Sequence, residues 1–184
     1  MKISACVFPV IEKLDLALAE MHKYIDLAIE QKSDLIIFPE ASLGGLNISG
    51  NCSEDIQKCF TLNSSEINSL RQKAKLNSLG IGFGFLENYQ DRIYDSFVLF
   101  DKNGDLAIHY HRISRGWLLA KIISDYYGCG TIPEVAKTIY GKIGILICGD
   151  LFETEIINQL IIKEPDFYIH ILARSFPFTQ NIQE

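Results

Sequence analysis

Residues 141–150, Gly-Lys-Ile-Gly-Ile-Leu-Ile-Cys-Gly-Asp, constrain this chain more than any other stretch. The apolar run from Ile143 to Ile147 reads as a strand buried on both faces, which demands cover above and below. It ends in Cys148, and Gly149, Asp150 and a helical-looking segment follow. A buried strand that delivers a thiol at its carboxyl end, onto a tight turn, builds a candidate nucleophile.

Two other segments share this design. Residues 34–38 form a compact apolar strand that terminates in Pro39-Glu40. Residues 105–112 alternate so that Leu106, Ile108, Tyr110 and Arg112 share one face, with Ala107, His109 and His111 on the other. Arg112 thus closes a core-facing row. In α/β sheets, sites lie at the carboxyl ends of strands. Glu40, Arg112 and Cys148 are therefore the candidate site residues.

The remaining pattern alternates helices and strands. Residues 2–8 predict a first strand, and residues 12–31 an amphipathic helix with Leu14, Leu18, Met21, Ile25 and Ala28 on one stripe. Residues 41–53 are loop-like. Asn63 and Glu66 fit a capping box opening a helix that runs to about Asn77. Residues 80–86 and 93–100 predict paired strands joined by a turn at 88–91, and Asp101-Lys102-Asn103-Gly104 a hairpin turn. Residues 117–124 predict a short helix, 133–140 a strand, 152–163 a helix and 166–172 a last strand. The expectation is a mixed α/β fold in one domain over residues 1–184.

Composition narrows the partners. A net charge of −6 disfavours nucleic acid and anionic membranes. No apolar run reaches the roughly 20 residues of a membrane span, and the amino terminus lacks a signal-peptide pattern. Five cysteines at scattered positions suggest neither a disulfide framework nor a zinc site, and fit a reducing cytoplasm. His109 and His111 are a possible metal pair, but no third ligand sits at a telling spacing, so no metal is assigned. Gly80-x-Gly82-x-Gly84 follows no dinucleotide-binding pattern and reads as a strand packed closely on its neighbours.

A free thiol, with a pKa of about 8.5, needs a base or a positive neighbour to attack a carbonyl or nitrile carbon at neutral pH. A buried Glu40 would take its proton and return it to a leaving amine. Arg112, always charged, would stabilise an oxyanion, and backbone N–H groups after Cys148 would add donors.

Phe38-Pro39-Glu40, Tyr110-His111-Arg112-Ile113 and Gly144-Ile145-Leu146-Ile147-Cys148-Gly149-Asp150 occur in an order that resembles the carbon–nitrogen hydrolase (nitrilase) family. Ile93-Tyr94-Asp95-Ser96 and Tyr140-Gly141-Lys142-Ile143-Gly144 match it too, so the likeness covers nearly the whole chain. The resemblance implies a four-layer αββα sandwich, incomplete at its carboxyl-terminal end. It implies a Glu-Lys-Cys triad acting on a small amide, nitrile or carbamoyl compound with water, through a cysteine thioester. It further implies a homodimer or higher homo-oligomer, with no metal or organic cofactor. Arg112 stands where the family has lysine. Where many members carry a second glutamate, only Asp125 offers a carboxylate. The chain is also short for the family, as a truncated member would be. An alternative is a catalytically silent relative serving as a binding or assembly subunit, and a third is a redox-sensing thiol protein.

Overall fold

The computed structural model describes residues 1–7, 9–118 and 125–173. Two sheets carry it. In the first, β1 (Ile3–Ala5), β2 (Leu35–Ile37), β3 (Gly80–Tyr89), β4 (Arg92–Phe100) and β5 (Leu106–His111) lie in that order. β1, β2 and β3 run parallel, and β3, β4 and β5 antiparallel. The second contains β6 (Val135–Thr138), β7 (Gly141–Ile147) and β8 (Phe167–Ile171), with β7 antiparallel to β6 and parallel to β8.

The α-helices are α1 (Leu14–Glu30), α2 (Cys52–Asp55), α3 (Ser65–Asn77) and α4 (Thr154–Ile162), and short 3-10 turns complete the described regular structure. Met21, Ile25 and Ala28 of α1 and Ile67, Leu70 and Ala74 of α3 pack on one face of the first sheet, against Ile36, Phe83, Phe85 and Val98. The opposite face of that sheet meets the second sheet through Leu35, Ile37, Phe97, Leu99 and Ile108, opposed by Ile143, Ile145, Ile147, Ile169 and Ile171. On the far side of the second sheet, Ile156 and Leu160 of α4 cover Leu146. The layers are therefore α, β, β, α.

The strand patterns explain this stacking. In β2, Leu35 and Ile37 face the inter-sheet layer, while Ile36 and the following Phe38 face the helices. A strand apolar at every position has no face to give to water. In β3 the alternation is glycine against large side chains. A Cβ on Gly82 would stand 2.8 Å from both the Ile37 and the Phe97 side chains, and one on Gly84 2.8 Å from the Glu40 Cα. The three glycines thus mark a close packing surface, as the sequence suggests, and Gly84 lets the backbone at Glu40 settle onto the sheet.

Element boundaries shift in instructive ways. The β3–β4 turn is only Gln90-Asp91, both with positive φ (51° and 59°), the conformation of a twist-matched two-residue hairpin. The capping box expected at Asn63 does not form: Ser64 is the N-cap residue of α3, and it makes no side-chain capping bond. The helix expected from 152 begins instead as a 3-10 turn at Cys148–Phe152 before α4. The helix expected over 117–124 is represented by a 3-10 turn at Arg115–Trp117, and residues 119–124 lie outside the described residues. So do Phe8, expected at the end of the first strand, and residues 174–184. No described helix is long and apolar enough to cross a membrane.

Ile145 is fully buried between the sheets. Ile145→Ala should lower unfolding free energy by about 2–5 kcal/mol, the usual penalty for such a cavity, as read from a denaturant midpoint at unchanged m-value.

Candidate active site

Glu40, Arg112 and Cys148 leave the carboxyl ends of β2, β5 and β7, and the fold brings them to one end of the inter-sheet layer. Glu40 is 1% and Arg112 4% exposed, so neither charge has water to fall back on. Arg112 Nη1 donates to Glu40 Oε1 at 2.8 Å and to Asp95 Oδ2 at 3.2 Å, and its Nε donates to Ser114 Oγ at 2.8 Å. The second Glu40 oxygen accepts the Ala173 backbone N–H at 2.7 Å. The parity argument for Arg112 therefore holds: the row of Ile108 and Tyr110 continues inward to a buried guanidinium.

Cys148 sits at the turn from β7 into the 3-10 segment with φ +45°, a left-handed conformation that costs a non-glycine residue about 1–3 kcal/mol. Ala41, directly after Glu40, has φ +56°. Both strand ends thus turn sharply to present a side chain. The partly buried Cys148 thiol lies in the electrostatic field of both the Glu40 carboxylate and the Arg112 guanidinium. Burial raises the Cys148 pKa above the ordinary thiol range, Glu40's negative charge raises it further, and Arg112 opposes both.

Gly149 is small for a local reason. A Cβ there would lie 2.6 Å from Arg112 Nη2 and 2.7 Å from Ser114 Oγ. The guanidinium therefore lies against the turn that follows the thiol. Asp150, fully buried, fixes the same turn. Its Oδ1 accepts the N–H groups of Ile113 (3.1 Å) and Ser114 (2.7 Å), and its Oδ2 the Ile147 N–H (3.1 Å) and the Tyr110 hydroxyl (2.9 Å). One carboxylate thus ties the Cys148 loop to the Arg112 loop.

Asp95 joins this site as a residue not singled out from sequence. It belongs to the β4 row that also carries Phe97 and Leu99 into the inter-sheet layer. A carboxylate in an apolar row is the same signal that picked out Arg112. Burial first, and then Glu40's charge, push its pKa well above the usual range, while Arg112 pulls it back. Its Oδ1 is buried without a hydrogen-bond partner. Asp125, the other carboxylate considered, is exposed, and Arg92 Nε binds its backbone carbonyl at 2.7 Å.

The sequence profile of the carbon–nitrogen hydrolase family matches residues 7–183. The chain belongs to the carbon–nitrogen hydrolase family. An arylacetonitrilase of Hypocrea virens is 22% identical over 178 residues, spanning 90% of this chain and 52% of that protein. Among solved structures, a carbon–nitrogen hydrolase from Helicobacter pylori superposes with a TM-score of 0.74 at 16% identity, covering 99% of this chain and 63% of that one. A glutamate-to-glutamine mutant of an amidase from Nesterenkonia sp., solved with the result of Michael addition of acrylamide at its active-site cysteine, gives 0.72 at 16% identity, covering 97% and 69%. The nitrilase-type αββα architecture expected from the resemblance is thus the architecture found. The chain spans about half the length of the curated relatives it matches.

Alkylation of Cys148, followed by mass spectrometry of its own peptide, should accelerate with pH through the alkaline range, with a midpoint above the roughly 8.5 of a free thiol. Glu40→Gln should move that midpoint down, because the anion that disfavours thiolate is gone.

Proposed function

We propose that the chain carries the catalytic centre of a hydrolase acting on the carbon–nitrogen bond of a small amide. The observation that supports this best is the convergence of a buried carboxylate, a buried cation and a strained cysteine at adjoining strand ends. In this reading Cys148 Sγ attacks the carbonyl carbon while Glu40 takes the thiol proton. The tetrahedral oxyanion forms beside the Arg112 guanidinium and the backbone N–H groups after Cys148. Collapse breaks the carbon–nitrogen bond, Glu40 passes its proton to the departing amine, and a thioester remains on Cys148. Water then attacks the thioester with Glu40 again as base, which releases the acid and restores the thiol. Nitrile and carbamoyl substrates fit the same opening attack.

Asp95 has a supporting part here. One cation stands between two carboxylates, so a proton held on Asp95 leaves Arg112 and ionised Glu40 as a neutral pair. Glu40 then keeps its lone pairs for the thiol proton. Arginine conserves the charge of the family's lysine and cannot itself move a proton.

The test is hydrolysis of a panel of short aliphatic amides, with acrylamide as a covalent probe. The intact chain should release ammonia and add acrylamide at Cys148, and Cys148→Ala should lose both. Ammonia release at an unchanged rate in Cys148→Ala would overturn the reading.

A second reading, a catalytically silent binding subunit, draws on the occupancy of Glu40. Both its oxygens already accept hydrogen bonds, from Arg112 and from Ala173. Arg112→Lys separates the two. A change of roughly tenfold or more in kcat, in either direction, supports a catalytic role for the cation. An inert protein that stays inert, with its fold intact by circular dichroism, supports the binding role.

A further inference from the structure

On the face of the first sheet opposite Arg112, three side chains converge that play no part in the chemistry above. Glu87 of β3 lies 1% exposed. His109 Nε2 is 2.8 and 3.0 Å from its two carboxylate oxygens, and His111 Nε2 is 2.9 Å from Oε2. The imidazole and carboxylate ligand atoms all lie within 4.8 Å of one another.

The topology explains why they meet. His109 and His111 stand two apart on β5, so they share a face. Glu87 is two strands away, and β4 lies between. The β4 residue paired with His111 is Ser96, small enough for the glutamate to reach across it. The Ser96 side chain is fully buried beside the Glu87 carboxylate. Aromatic rings hold the imidazoles in place. Tyr94 stacks on His111 at 4.2 Å, and Tyr89 contacts His111 at 5.0 Å and His109 at 5.7 Å. The histidine side chains keep 21% and 18% of their surface exposed, so one side of the cluster opens to solvent.

We propose that Glu87, His109 and His111 form a binding site for a first-row divalent cation of the zinc type, with water at the fourth position. Two imidazoles and one carboxylate suit that class of ion. Bonds of about 2.0–2.2 Å to each atom require ligand separations of roughly 3.3–3.6 Å in a tetrahedron, a few tenths of an ångström wider than the imidazole–carboxylate hydrogen bonds and inside the 4.8 Å that spans all three ligand atoms. The ion would clamp β3 to β5 over β4, directly beside the residue that precedes Arg112. The sequence shows the histidine pair and hides the third ligand, which lies 22 positions before His109 and meets it only through strand pairing.

The test uses the full chain stripped of metal with a chelator. Zn²⁺ is titrated by calorimetry, and Co²⁺ by its visible absorption, which is intense for four-coordinate sites. One ion should bind per chain with release of protons, and zinc should raise the melting temperature. His109→Gln, His111→Gln and Glu87→Gln should each weaken zinc by more than about 100-fold, since losing even an outer partner of a metal site costs about 10- to 100-fold. Cys148→Ala should bind zinc as the parent does. Absence of saturable binding would overturn the proposal and leave an ion-paired cluster only. So would full affinity in a folded His109→Gln/His111→Gln double variant, or loss of binding on Cys148→Ala alone.

Discussion

The site depends on a buried cation held between two buried carboxylates. Arg112 reaches Glu40 and Asp95 from one terminal nitrogen, and none of the three side chains has appreciable contact with water. Removing Arg112 or Glu40 from such a group costs about 3–5 kcal/mol, because the ion-pair partner is left as an uncompensated buried charge. The group therefore constrains the ends of β2, β4 and β5 together. Ala173, just beyond β8, is tied in through its N–H to Glu40, so the second sheet is registered against the first at the same point.

The thiol is positioned by a separate and complementary device. Asp150 gathers four donors from the ends of β5 and β7, and the missing side chain of Gly149 lets the guanidinium lie against the turn. These contacts stabilise a left-handed Cys148 that would relax in a loose loop. Burial and the neighbouring Glu40 charge favour the protonated thiol, and Arg112 opposes them. Packing, strain and charge here serve one geometry, and each is traceable to a named residue.

The layering was legible because both sheets follow simple periodicities. Apolar runs in β2 and β7 announced strands covered on both faces, and the alternation in β5 announced which way Arg112 points. Short-range turn chemistry is less legible. Ser64 rather than Asn63 precedes α3, where the Ser64 hydroxyl accepts the Thr61 N–H, and the Cys148 turn continues as a 3-10 segment in which Asp150 accepts the Ile147 N–H. Sequence alone does not mark Asp95 as a site residue, although its parity in β4 matches that of Phe97 and Leu99. A single carboxylate in an apolar row declares itself only when a partner is known.

What the sequence by itself determined is the order of buried strands, the polar residue that ends each, and the family to which that order belongs. Those properties follow from local periodicity, which any window of the chain displays. Tertiary structure alone decided which ends meet. Glu40 and Arg112 are 72 positions apart, Tyr110 and Asp150 are 40, and Glu87 and His109 are 22. Their encounters are set by strand order and sheet packing, which depend on the whole apolar core and on no single segment.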